Sequence, residues 1–237
     1  LTLPRVSGHP AGAETPRAKS LVVHYDTTVD SVVSGSTVVD ISGTGNNGTL
    51  TGDASYSSTD RALVFDGTGD SITTTAPFSA GDNTFSASFW VKRNANGAVY
   101  CPLYIGDVSS TQGIGMDIYG SGDVYWYIYS AKNFYWSGVT GTWFPVGSWT
   151  HVAISHTAGT DFANLNKVWI NGVEMSSSAT LTGSGDLSLD ANDSITLGAQ
   201  VSSLYLNGQI SNFKLWNVAL TAEEVAMEYA LGRTGKS

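Results

Sequence analysis

The sequence predicts an all-β antiparallel sandwich closed by one short C-terminal helix. Two observations carry that prediction. Short runs of alternating apolar and polar residues recur along most of the chain with turn residues between them, the pattern of packed antiparallel sheets. One segment near the end has a helix signature instead: Thr221, then Glu223-Glu224, then Val225, Met227 and Tyr229. The composition agrees. With 237 residues, 27 glycines and 6 prolines, the chain suits one large sandwich. At that length it can bury a full core without disulfides or metals.

The alternation assigns strands to 21–26, 36–41, 48–51, 61–66, 69–75, 84–93, 98–106, 112–119, 123–130, 134–139, 149–156, 166–171, 194–199 and 204–217. Asn171-Gly172 is a two-residue hairpin signal, because both positions of a type I′ turn need positive φ. Gly120–Asp123 closes another hairpin. Thr221 with Glu224 three residues on makes a capping box, and the first-turn glutamates suit the helix dipole. Residues 1–19 lack alternation and carry Pro4, Gly8, Pro10, Gly12 and Pro16, so they read as an extended arm. Arg5, Arg17 and Lys19 make it basic. The arm is expected to lie on its own domain or on a neighbouring chain, another copy of itself included. The sandwich spans 20–231, and 232–237 read as a linker.

Net charge is −9, from 11 basic and 20 acidic residues, which excludes nucleic acid as a partner. No apolar run approaches the roughly 18 residues of a membrane span, so no membrane insertion is expected. No signal peptide is visible; a chain beginning at Leu1 reads as a processed or excised segment. Cys101 is the single cysteine and reads as a small buried hydrophobe.

Catalytic signals are weak. A retaining glycosidase needs two carboxylates about 5–5.5 Å apart. The five glutamates, Glu14, Glu174, Glu223, Glu224 and Glu228, lie in the arm, beside a hairpin and on the helix. Asp117 and Asp123 read as solvated strand-face and turn residues. His151 and His156 are five apart on one strand and so face opposite ways. Gly43-Thr44-Gly45 lacks the lysine and helix of a phosphate loop.

The strong signal is aromatic: 119–144 hold ten rings in 26 residues. Tyr125, Tyr127 and Tyr129 share one face of a strand, with Trp126 and Ile128 on the other; in the next strand Tyr135 opposes Phe134 and Trp136. Exposed rings on a sheet suit carbohydrate, whose C–H faces stack on them. Tyr125, Tyr127, Tyr129, Tyr135 and Trp136 are therefore the candidate glycan-binding residues. An oligomer interface and plain core stay open as alternatives.

The closing run Gln209–Leu220 and the helix after it resemble the laminin-G-like, or concanavalin-A-like, lectin domains, whose last strand and "[ST]-x-E-E-[IV]" helix look alike. Further stretches keep the order of that family: Ser20–Tyr25, Val39–Leu50, Ala62–Asp70, Phe85–Lys92, Trp149–Ala153 and Val168–Val173. The resemblance implies a jelly-roll β-sandwich and a carbohydrate-binding or adhesion role. It also implies a candidate structural calcium held by Asp40 and Asp66, although Ser211 stands where the family usually carries an aspartate. Asx-type turns are the alternative for both aspartates. A narrower resemblance covers Glu228–Ser237, which looks like lectin-like modules on virion surfaces of large algal DNA viruses and marine phages. It implies an extracellular or virion-surface module that meets host-wall glycans, with its N-terminal arm held by capsid or fibre proteins. A purely structural capsid or fibre component and a polysaccharide-degrading enzyme are the competing expectations.

Overall fold

The structure is a computed structural model. It describes residues 15–79, 84–96, 99–107, 113–120, 123–129, 132–136, 143–157, 166–175, 187, 189–200, 203–234 and 236, with 128, 129 and 132–136 described by their backbone. The strands, in chain order, are β1 (Leu21–Tyr25), β2 (Val33–Ser34), β3 (Thr37–Val38), β4 (Gly48–Thr51), β5 (Ser55–Ser57), β6 (Ala62–Asp66), β7 (Ser71–Thr75), β8 (Phe85–Arg93), β9 (Tyr100–Gly106), β10 (Gly113–Ile118), β11 (Val124–Tyr129), β12 (Lys132–Trp136), β13 (Thr150–His156), β14 (Asn166–Ile170), β15 (Val173–Glu174), β16 (Ser194–Leu197) and β17 (Asn207–Trp216). Helix α1 is Ala222–Gly232. It is not long and apolar enough to cross a membrane.

These strands form two antiparallel sheets. One has eight strands in the order β15-β14-β13-β8-β17-β6-β5, with β1 also pairing β17; the other has nine, in the order β12-β11-β10-β9-β16-β7-β4-β3-β2. Their facing sides enclose the main core, including Phe65, Phe85, Phe89, Leu103, Ile114, Met116, Trp126, Ile154 and Phe213. The expected long strands are present. Where 36–41 was expected to be one strand, only Thr37–Val38 pairs, because the Asp40 carboxylate draws the backbone N–H groups of His24, Ser42 and Asn46 around itself. β2, β5 and β15 are two or three residues long and mostly polar or exposed, too short to show alternation.

β8, β13 and β17 are buried almost continuously rather than alternately. The cause is a cover on the outer face of the eight-stranded sheet. There Leu21, Trp169, Trp216, Leu220 and Val225 make a second apolar cluster beneath α1. The capping box forms: Glu224 N–H donates to Thr221 Oγ1 and Thr221 N–H donates to Glu224 Oε2. Lys214 Nζ meets Glu228 Oε2 at 2.7 Å with both side chains buried. Residues 15–20 lie on the same face of their own domain, where Trp216 Nε1 donates to the Pro16 carbonyl at 2.9 Å and Arg17 pairs with Glu224. The rest of the expected arm, 1–14, lies outside the described residues.

Candidate functional site

The outer face of the nine-stranded sheet has no such cover among the described elements. Its pairing places Thr49, Thr73, Thr196, Tyr104, Gly115, Tyr127 and Asn133 in one row across seven strands. Glycine in the middle of that row has a steric cause. A Cβ on Gly113 would fall within 3.0 Å of the Tyr104 ring and one on Gly115 within 3.0 Å of the Tyr127 ring. The bare β10 backbone lets two tyrosines lie down over it and form a floor. On one side of the floor Thr49, Thr51, Thr73, Thr75 and Ser194 line an open depression of about 480 Å³ with Asn46 and Asn47 at its end. On the other, Tyr119 and Tyr125 stand half-buried with their ring centroids 4.1 Å apart.

Below the floor sits a small buried polar group. Tyr127 Oη donates to Asp117 Oδ1 at 3.3 Å. Burial pushes the Asp117 carboxyl up to about 6, against the opposing pull of hydrogen bonds from the Cys101 thiol and the Tyr127 hydroxyl. The same burial raises Cys101 and Tyr127, so both stay protonated. Asp117, expected to be solvated, is 7% exposed. Strand alternation correctly puts it on the outer face, but Tyr127 and Cys101 close over that position and shield it from water.

The candidate aromatic residues therefore separate. Tyr125 is half-buried, with its ring tilted against that of Tyr119. Tyr127 is 9% exposed, part of the floor rather than a free-standing ring. Tyr129, Tyr135 and Trp136 hold positions on β11 and β12, with Tyr135 in register with Tyr125 and Trp136 with the core residue Val124; their side chains lie outside the described residues. Tyr104 and the threonine rows escaped the sequence reading, for they belong to strands distant from the aromatic cluster.

The histidines face opposite ways as their spacing requires. His151 lies under α1 against Trp90 and Tyr229, while His156 meets Phe85 in the core and Asn166 at 2.7 Å. Burial, and secondarily Lys214, holds His151 down at about 3.

Asp40 does not fit a calcium ligand. Its Oδ1 accepts from His24 N and Ser42 N, and its Oδ2 from Ser42 Oγ, Thr44 Oγ1 and Asn46 N. Those donors complete the turn that the alternative reading expects. Asp66 accepts from Thr68 N, and has Asp53 and Asp70 close by, all three offering an oxygen within 4.8 Å of one another. Asp70 accepts from the N–H groups of Asp53 and Asp66 and closes that turn too. Chelator is thus expected to leave the melting temperature nearly unchanged; a fall beyond roughly 10 °C, a few kcal/mol in a chain of this size, would show that calcium holds the fold.

The comparisons with known proteins follow this geometry. Residues 66–226 match the profile of the Concanavalin A-like lectin/glucanases superfamily, and the chain belongs to that superfamily. No curated protein sequence is significantly similar to it. Among solved structures, domain 4 of AbnA, an extracellular arabinanase of Geobacillus stearothermophilus in complex with arabinotriose, is 26% identical over 89% of this chain and 98% of its own, with a TM-score of 0.66. The binding domain of botulinum neurotoxin serotype D is 17% identical over 90% of this chain and 51% of its own, with a TM-score of 0.64. Trypanosoma rangeli sialidase in complex with sialic acid is 16% identical over 99% of this chain and 36% of its own, with a TM-score of 0.70. The last two likenesses concern the fold alone.

Proposed function

We propose that this chain is a non-catalytic carbohydrate-binding module that takes a glycan across the outer face of its nine-stranded sheet. The observation that carries this reading is the tyrosine floor laid over the glycines of β10, flanked by the Tyr119–Tyr125 pair and by a threonine-lined depression. Rings offer faces to sugar C–H groups, and rows of hydroxyls offer both donors and acceptors to sugar hydroxyls. The similarity to an arabinanase domain solved with arabinotriose supports the reading, and makes arabino-oligosaccharides the first ligands to try. A virion surface facing host-wall glycans, as the C-terminal resemblance suggests, is one setting for such a module.

Titration with arabino-oligosaccharides and a wider glycan array tests the proposal. Tyr125→Ala is expected to weaken binding by about 1–3 kcal/mol with little change in melting temperature, as removal of a dominant contact ring does. Unchanged binding by the folded variant would overturn this face as the site.

The non-catalytic part rests on the carboxylates. Glu174, Glu223, Glu224 and Glu228 belong to the eight-stranded sheet and its helix, away from this face. Asp117 in the floor is hydrogen-bonded beneath a tyrosine rather than opposed to a second carboxylate across a groove. No reducing ends are expected from arabinan or wall polysaccharide, and product formation abolished by Asp117→Asn would make the protein an enzyme. The same variant reports on stability. Burial favours the neutral Asp117 acid, so its contribution is greatest below the unfolded carboxyl range and is lost as pH rises through about 6. Asp117→Asn is therefore expected to stabilise the protein by about 2 kcal/mol at pH 8 and by little at pH 4. Melting curves at the two pH values check the sign.

A further inference from the structure

We propose a second ligand site, for a single anionic sugar residue, in the pocket between the end of α1 and the outer face of the eight-stranded sheet. The pocket holds about 250 Å³ and is lined by Trp90 of β8, Trp149 just before β13, Asn171 of the β14–β15 turn, Tyr229 and Arg233 at the end of α1, and Lys236. That volume lies at the small end of ligand sites and suits one sugar ring rather than a chain.

Its chemistry combines aromatic faces with positive charge. Tyr229 stacks on Trp90 with ring centroids 5.7 Å apart. Lys236 Nζ lies 3.9 Å from the Trp149 ring centroid and Lys92 Nζ 5.1 Å from it, while Arg233 lies 5.4 Å from that of Tyr229. Two of the 11 basic residues thus line one small pocket, and a third, Lys92, stands over one of its rings, in a chain of net charge −9. Lys92 has a carboxylate partner, Asp60, at 3.5 Å. Among the described residues Arg233 and Lys236 have none; Lys236 donates instead to the carbonyls of Asp60 and Arg61, at 3.3 and 3.4 Å. Ring faces and carbonyls stabilise a cation but do not neutralise it. An acidic sugar would supply the missing anion to Arg233 and Lys236 and a C–H surface to the aromatic rings that line the pocket. A neutral sugar would leave the charges as they are. The groups around Lys236 are Lys92 on β8, Asp60 and Arg61 in the β5–β6 turn and Arg233 beyond α1; beneath Tyr229 the neutral His151 adds no charge. Burial first, then Lys92, brings Lys236 down to about 8, and a bound anion would draw its proton back.

This site is independent of the reading given to the other sheet, and the test keeps the two apart. Calorimetric titration at low salt would compare oligogalacturonate and a sulfated oligosaccharide with their methyl-esterified and unsulfated counterparts. Binding of at least one anionic form is expected, with its neutral counterpart about tenfold weaker or more. Trp149→Ala and the exposed Arg233→Gln should each weaken it about tenfold or more, whereas Tyr125→Ala should leave it unchanged. Affinity should also fall from about pH 7 to about pH 9.5 as Lys236 loses its proton. If neither anionic sugar binds, if binding survives both pocket variants, or if Tyr125→Ala removes it, the proposal fails. A melt of each variant shows whether the fold is retained, and Arg233→Gln decides the matter if Trp149→Ala does not fold.

Discussion

Lys214→Met is expected to cost about 3–5 kcal/mol, a fall in melting temperature of roughly 6–20 °C for a chain of this size. Lys214 and Glu228 tie β17 to α1 through a 2.7 Å ion pair whose side chains are 1% and 2% exposed. Among the described residues Lys214 has one further acceptor, Thr15 Oγ1 at 3.4 Å, so the same ammonium also holds the N-terminal segment. Methionine fills the space but leaves the Glu228 carboxylate buried without its counter-charge. The ion pair as a whole is worth far less than this loss, since desolvation offsets most of its attraction. The double variant Lys214→Met/Glu228→Gln should therefore regain most of the stability. Chemical denaturation of the wild type, the single and the double variant checks both statements; a single variant within 1 kcal/mol of wild type, on the order of a surface ion pair, would show that water reaches the pair.

Trp126→Ala should cost a similar amount, about 3–5 kcal/mol, through the cavity left in the core. Trp126 is 1% exposed, in the layer with Met116, Ile114 and Val124. Its neighbours in sequence point the other way, and this makes the prediction discriminating. Tyr125→Ala removes a half-buried ring and is expected to affect binding alone. Tyr127→Ala removes part of the floor and strips Asp117 of a hydrogen bond, so both stability and binding should suffer. Three consecutive substitutions with three different outcomes would verify the strand's orientation and its register with β10. Equal losses of stability at Trp126 and Tyr125 would mean that the sheet is packed on both faces there.

Much of this was legible in the sequence because its signals are local. Alternation located the long strands, Asn171-Gly172 turned between β14 and β15 with φ of 51° and 79°, and Thr221 with Glu224 started the helix. Local signals also fixed the parity of Tyr125, Trp126 and Tyr127. The shielding of Asp117 was not legible, since it depends on Tyr127 of β11 and Cys101 of β9 closing over a residue of a third strand. Asp40 is a mixed case: four of its five donors come from its own turn, as the Asx-type reading expects, and only His24 N reaches it from another element, β1. The Trp90–Trp149–Tyr229 pocket is assembled from segments far apart in the chain, each unremarkable alone. Period and turn chemistry describe a strand's faces; what lies on those faces is decided by non-local pairing.

That pairing has a consequence for how the protein is made. β17 lies between β8 and β6, and its second half also takes β1. The changeover occurs at Asn212, whose φ of 53° shifts the register between Ser211 and Lys214. Three strands thus wait for one synthesised long after them, and Trp216 closes on Pro16 across 200 residues of sequence. A growing chain that has not reached β17 carries β1, β6 and β8 with open edges and cannot complete the eight-stranded sheet. Folding of this sheet is accordingly expected to be late and slow, dominated by distant contacts, with the incomplete chains the species most exposed to aggregation. Arresting synthesis with β17 still inside the ribosomal exit tunnel and with β17 fully beyond it, and probing each nascent chain with protease, would reveal the step.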